Sequence, residues 1–424
     1  FQGQVDSLRS KNNTLTLKPL LSAESPGIRR PQSMPDREFN WLKEQVAFWP
    51  SEACLLMHAQ VDLRAYAWNG ALLWSQQSTV SSDNPARAMV QMRPLVYQDR
   101  VICRRLTQKG SELICLDLFD GHLIWTQRLG DHVVSDPWIQ NDLLHVLVST
   151  GSEFEDFQLV LASLEIRDGS IRHRSPLAVL SIVLDEPVEC TVVPVKQRFL
   201  VQANGCLMLF DSLGRPLWLR TFPWLAPASS GWWHAQSWYL QRNPKPLVVG
   251  DQVFLSMRGG WFVASVELDT GRLRWYQPVG HLLGLFAYSN GKLYVETPGR
   301  MWVMAGATGQ KLAEYDWPAR AEKLVLSESR QVITLQVRSE ERNRRQKSLH
   351  IQSIRLDDGE ILREIVVPLV DNDLEWVGRV MTWDGKLYLF FARPQNPQRF
   401  EVYELVLEPR IAGQPQVNHV GLSN

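Results

Sequence analysis

The chain has 424 residues, with 45 Lys plus Arg against 45 Asp plus Glu and an apolar content of 45%. That composition excludes a disordered chain, and the length allows one large core or two to three ordinary domains. The balanced charge argues against wholesale binding to nucleic acid or an anionic membrane, and no apolar run reaches the ~20 residues of a membrane-spanning helix.

In chain order, "FQG" at positions 1–3 looks like the remnant of a cleavable tag, to be left out of fold reasoning. The natural segment is expected from near Gln4, as a domain or mature region of something longer. Within 4–43, "NTLTLKPLL" (13–21) alternates polar and apolar residues ahead of the first unit's own strands, which begin near Gln45. The far end, "GQPQVNHVGLSN", has two glycines, a proline and little apolar content, which makes a poor strand. The N-terminal segment is therefore expected to pair with a strand over 400–407 and close the fold.

The remainder, 44–424, is a repeat. "LRAYAWNGALLW" (63–74), "LICLDLFDGHLIW" (113–125), "CLMLFDSLGRPLW" (206–218) and "FVASVELDTGRLRW" (262–275) each carry an apolar run, a polar step, a glycine and a tryptophan four residues on. Fainter copies lack the tryptophan, around Gly169, Gly309, Gly359 and, faintest, Gly413. Asn-Gly, Asp-Gly and Thr-Gly supply the positive φ of a tight hairpin turn, which a Cβ resists. A second hairpin precedes most turns, as in "PLVVGDQVFLSM" (246–257) and "LFAYSNGKLYVET" (285–297). Each unit thus predicts four short antiparallel strands. Runs such as "LICL" and "VITLQV" are apolar on successive residues, so both faces of each sheet must be covered.

Stacking such sheets in a ring covers every face. Eight units predict one all-β domain, an eight-bladed β-propeller of four-stranded antiparallel blades, with seven blades as the alternative. A solenoid or a pair of sandwiches leaves the Gly-to-Trp spacing unexplained.

The repeats resemble the quinoprotein alcohol dehydrogenase-like, or PQQ-like, propeller family, whose docking pattern is close to A-x-D-x-x-T-G-x-x-x-W. In "SVELDTGRLRW" the pattern falls on Ser265, Glu267, Thr270, Gly271 and Trp275; in "CLDLFDGHLIW" it falls on Cys115, Asp117, Asp120, Gly121 and Trp125. The resemblance implies that the tryptophan packs across the interface between blades. Trp74, Trp125, Trp218 and Trp275, with Gly70, Gly121, Gly214 and Gly271, are then structural docking residues. His173, Ala313 and Arg363 stand where tryptophan is expected, so those interfaces must be sealed differently.

Quinoprotein enzymes of that family need a calcium or lanthanide ion, an acidic base and often a disulfide of adjacent cysteines. No two cysteines are adjacent here, and the acidic "SEFEDF" (152–157) lacks the spacing of a calcium loop. No metal and no cofactor is expected; PQQ with calcium belongs only to the alternative reading. Cys54, Cys103, Cys115, Cys190 and Cys206 form no CxxC pair, which speaks against zinc and against a disulfide framework. A turn near Lys109 places Cys103 opposite Cys115; two buried thiols are the expectation, a cross-strand disulfide the alternative. The nine histidines are scattered singly, and HExxH, GxSxG and phosphate-binding glycine loops are absent. The mixed-sign run "RSEERNRRQKS" (338–348) reads as a solvated hairpin tip.

In a propeller, the B–C hairpins and the connections between blades emerge on one face. The long tips at 149–158, 338–348 and 392–400 share that face with "SSGWWHAQSWYLQRNPKP" (229–246). Loops on a rigid scaffold carry function, and aromatics dominate contact hot spots. Trp232, Trp233, His234, Trp238 and Tyr239 are the candidate binding residues, against the simpler reading that the aromatics plug the channel mouth. The expected function is a non-catalytic PQQ-like propeller, a protein-interaction or ligand-binding scaffold module of a larger bacterial protein. An extracytoplasmic or periplasmic location is implied by the resemblance, since the family includes a propeller lipoprotein of outer-membrane protein assembly. The alternative is a PQQ-dependent oxidoreductase or its cofactor-free descendant.

Overall fold

The structure is a computed structural model. It describes residues 13–24, 46–59, 62–77, 92–107, 110–151, 157–180, 190–203, 205–222, 245–256, 262–279, 284–297, 299–317, 322–326, 331–339, 347–368, 375–383, 386–392 and 399–409. Among these residues every regular element is a β-strand, and all pairings are antiparallel. The strands form eight sheets in chain order, over 46–76, 95–127, 132–180, 191–221, 247–278, 284–316, 322–368 and 375–409, called sheets 1 to 8 below. Seven sheets have four strands. Sheet 3 has five because its first position is split into His132–Val133 and Trp138–Gln140, both paired with Leu143–Thr150.

The apolar runs explain why the sheets cannot stand alone. In the strand Gly110–Asp117, Leu113, Ile114, Cys115 and Leu116 are all fully buried. Successive side chains point to opposite faces, so Leu113 and Cys115 join Leu144, Val146 and Val148 of sheet 3. Ile114 and Leu116 join Leu56, Leu63 and Ala65 of sheet 1. One strand thus feeds two cores. Shared clusters likewise join sheet 3 to 4, 4 to 5, 5 to 6 and 6 to 7.

Sheet 8 is the exception in its chain usage. Three of its strands, Glu375–Trp383, Lys386–Ala392 and Arg399–Pro409, come from the end of the chain, and the fourth is Asn13–Glu24. That strand runs along Arg399–Pro409 from Asn13 opposite Pro409 to Glu24 opposite Arg399, with one irregularity between Pro19 and Leu21. Sheet 8 lies against sheet 7 through Glu322–Leu326 and against sheet 1 through Val46–Pro50. Aromatic rings close the second of these contacts: Phe48 stacks on Phe390 at 4.1 Å, Tyr66 meets Phe400 edge-on at 5.3 Å, and Trp68 lies 5.4 Å from Tyr388.

The glycine turns are longer than two residues. Gly121, Gly169, Gly271, Gly309 and Gly359 each end a four-residue loop, with the glycine N–H donating to the carbonyl four residues back. Gly70 and Gly214 end three-residue loops. Only the final position needs positive φ, 66–81° at Gly121, Gly169, Gly214, Gly271, Gly309 and Gly359, so the residue before it is free to vary.

One expectation is corrected. The hairpin of sheet 2 turns over two residues between Thr107 and Gly110, which pairs Cys103 with Ile114 and Ile102 with Cys115. A one-residue slip moves a side chain to the other face. Cys103 therefore faces sheet 1 and Cys115 faces sheet 3, and both are free thiols. Burial pushes the Cys103 thiol up to about 12 and the Cys115 thiol up to about 11. Because the thiolate is the nucleophile, both should react with a soluble disulfide reagent at pH 8 on the order of 100-fold more slowly than in urea. Site-resolved mass spectrometry checks this; native rates equal to those in urea would contradict the burial.

Candidate functional site

The best-defined chemistry lies at the junctions between sheets. Trp74 Nε1 donates to Leu118 O at 2.9 Å, and Trp125 Nε1 to Ile166 O at 3.1 Å. Trp218 Nε1 donates to Leu268 O and Trp275 Nε1 to Gly306 O, both at 2.8 Å. Each acceptor stands three residues before the turn glycine of the next sheet. The indole ring then covers that glycine. A Cβ on Gly121, Gly169, Gly271 or Gly309 would fall 2.5–2.7 Å from a ring carbon of Trp74, Trp125, Trp218 or Trp275 respectively. Two demands converge on one residue, positive φ and no side chain, and glycine alone meets both. Trp74, Trp125 and Trp275 are buried, and Trp218 is half-buried.

The positions without tryptophan show how a junction is sealed otherwise. Ala313 is exposed, but Tyr315, two residues on and so on the same face of the strand, takes the position. Its hydroxyl donates to Leu356 O at 2.7 Å, and its ring covers Gly359. Burial pushes the phenol above its ordinary value, so it stays a donor. His173 Nε2 donates to Leu213 O at 2.9 Å, beside Gly214, which Ser175 and Leu177 cover. The Arg363 side chain lies outside the described residues. Tyr315→Phe should lower stability by about 1 kcal/mol, because Leu356 O loses its partner. An unchanged urea midpoint would show that the hydroxyl does not hold this junction.

A second set of contacts runs beside the rings. Arg100, Arg198 and Lys292 each open the second strand of their sheet and reach the next sheet's turn. Arg100 Nη1 donates to Ile166 O and Arg167 O at 3.0 and 2.7 Å. Arg198 pairs with Asp269 at 2.7 Å. Lys292 pairs with Asp357 at 2.7 Å, which also accepts from the Tyr294 hydroxyl at 3.0 Å.

The candidate binding residues Trp232, Trp233, His234, Trp238 and Tyr239 lie outside the described residues, as do most of the long hairpin tips. Among the described residues one grouping of metal-ligand type is present, Asp117, Asp120 and His122 on the turn of sheet 2. Asp117 Oδ1 already accepts the Phe119 and Asp120 N–H groups, and Asp120 Oδ1 accepts the N–H of His122. That is turn chemistry on an exposed loop. His145 is a packing residue: Nε2 donates to Gln140 O at 2.9 Å, which leaves Nδ1 to accept from Ser163 Oγ at 2.9 Å. Burial lowers its pKa.

The chain matches the family described as "Outer membrane protein assembly factor BamB" over residues 59–315. No curated protein sequence matches it. Among solved structures, BamB from Moraxella catarrhalis is 14% identical, covers 92% of this chain and 100% of its own, and superposes with a TM-score of 0.54. A europium-containing methanol dehydrogenase is 11% identical over 85% of this chain and 90% of its own, with a TM-score of 0.53. The computationally designed Ika8 protein is 11% identical over 91% of this chain and 99% of its own, also at 0.53. At these identities the likeness is one of fold, shared by an assembly factor, an enzyme and a designed protein.

Proposed function

The chain belongs to the family of the outer membrane protein assembly factor BamB, and on that premise we propose that it is an eight-bladed β-propeller acting as a protein-interaction or ligand-binding scaffold. The sheet order supports the blade count: eight sheets touch in sequence, and the eighth meets the first. The family description supports placing it as an extracytoplasmic bacterial protein. No helix among the described residues is long and apolar enough to cross a membrane.

The observation that carries the reading is the repeated use of the junctions among the described residues. Indole and guanidinium groups fix one sheet to the next, as in the contacts above. Sheets tied together in this way form a scaffold suited to loop-borne recognition. Trp232, Trp233, His234, Trp238 and Tyr239 are the proposed contact residues on composition alone.

The alternative, a quinone-dependent oxidoreductase, has the likeness to methanol dehydrogenase as its support, and that likeness is of fold. Titration with PQQ plus calcium, and separately plus a lanthanide, decides between them. The scaffold reading expects no stoichiometric quinone retained after gel filtration and no dye-linked alcohol oxidation. Tight one-to-one binding with turnover would overturn it.

A further inference from the structure

Sheet 7 holds a relay of three polar side chains that the junctions do not use. The strand Lys347–Arg355 pairs with Gln331–Ser339 on one side and with Ile361–Pro368 on the other. Ser348 and His350, two residues apart, share a face. Across the strand pair, Val366 stands opposite His350 and Glu364 opposite Gln352, which sets Glu364 diagonally beside the imidazole. Ser348 Oγ is 3.0 Å from His350 Nε2, and His350 Nδ1 is 2.9 Å from Glu364 Oε1.

The proton positions follow from the donor inventory. A carboxylate only accepts, so Nδ1 carries the hydrogen and donates to Glu364. In the neutral ring Nε2 is then an acceptor, and the Ser348 hydroxyl must donate to it. Glu364 is well kept as an anion. The hydrogen bond from His350, with that from Gln352 at 2.9 Å and the charge of Arg338, outweighs desolvation and holds its carboxyl below the ordinary value. Ser348 is buried, His350 half-buried and Glu364 exposed, so the relay runs from the sheet interior to its outer strand. There Val366, opposite the imidazole, is 50% exposed.

We propose that Ser348, His350 and Glu364 form a nucleophilic-serine site that accepts acyl groups from activated esters with short apolar acyl chains. Ser348 Oγ attacks the acyl carbon as its proton passes to His350 Nε2. The ester C–O bond breaks, and the leaving alcohol takes that proton. Water then cleaves the acyl-serine, its proton passing through His350 back to Ser348 Oγ. Ser348 and His350 are the catalytic residues; Glu364 is a positioning residue that fixes the tautomer. Val366 offers the apolar surface beside the acyl group. This site is independent of the scaffold reading, and its failure leaves that reading untouched.

The test is covalent labelling of the full chain with a fluorophosphonate probe, read by peptide mass spectrometry, alongside the acyl-enzyme burst with p-nitrophenyl butyrate. The parent should carry the label on Ser348, and Ser348→Ala should carry none there while still unfolding in one cooperative urea transition. His350→Ala should slow labelling by about 100-fold, as loss of a general base does. Glu364→Gln should slow it less, with the burst amplitude retained. A folded parent without label on Ser348 overturns the proposal whatever the variants do. A His350→Ala variant that labels at the parent's rate overturns it as well.

Discussion

A chain lacking residues 1–24 should lose on the order of 5 kcal/mol of stability relative to the parent. The deletion removes Asn13–Glu24, the outer strand of sheet 8, and exposes the long edge of Arg399–Pro409 along its whole length. At about 1 kcal/mol net per backbone hydrogen bond, less the chain entropy regained, an eleven-position ladder is worth that much. The loss also reaches the neighbours, because sheet 8 meets both sheet 7 and sheet 1. The exposed edge is in addition a template for pairing between chains. The measurement is thermal and urea denaturation with light scattering alongside. A truncated chain that melts with the parent and stays monomeric would mean that the N-terminal strand adds nothing to closure.

Trp275→Ala should cost about 3–5 kcal/mol, the range for truncating a buried large aromatic. The ring is 8% exposed and packs among Phe254, Val263, Leu293 and Met304, where sheets 5 and 6 meet. Removing it opens a cavity at that seam and leaves Gly306 O without the indole N–H. It also strips the cover from Gly309. The drop in the urea midpoint reads the cost. A midpoint within error of the parent's would mean the ring is dispensable, and the junction would have to be held by its aliphatic residues.

Much of this architecture is legible because its parts are local. A glycine with a tryptophan four positions on reports a turn and a packed ring without any long-range information, and those residues sit at the junctions. The four-residue turns were less legible, because Asp-Gly and Thr-Gly fit both short and longer loops. Tyr315 was missed because it lies two positions beyond the tryptophan site, a shift that keeps the strand face and defeats a fixed spacing. The relation of Cys103 to Cys115 turned on one residue of turn length, which composition does not reveal. Ser348, His350 and Glu364 were invisible for a different reason. Strand register brings Glu364 diagonally beside His350, and no short motif encodes a register. Among the residues first singled out as a binding surface, Trp232, Trp233, His234, Trp238 and Tyr239 lie outside the described residues.

A ring in one sheet dictates the glycine in the next. The pair Trp125 and Gly169 tests it most directly, since a Cβ on Gly169 would lie 2.7 Å from the Trp125 ring. Gly169→Ala alone suffers both the contact and the strain of positive φ; beside Trp125→Ala it suffers only the strain. A double-mutant cycle on urea-unfolding free energies should therefore show the two substitutions costing less together than their sum, by more than about 1 kcal/mol. Additivity within about 0.5 kcal/mol would mean that the ring and the glycine do not meet, and would contradict that dependence.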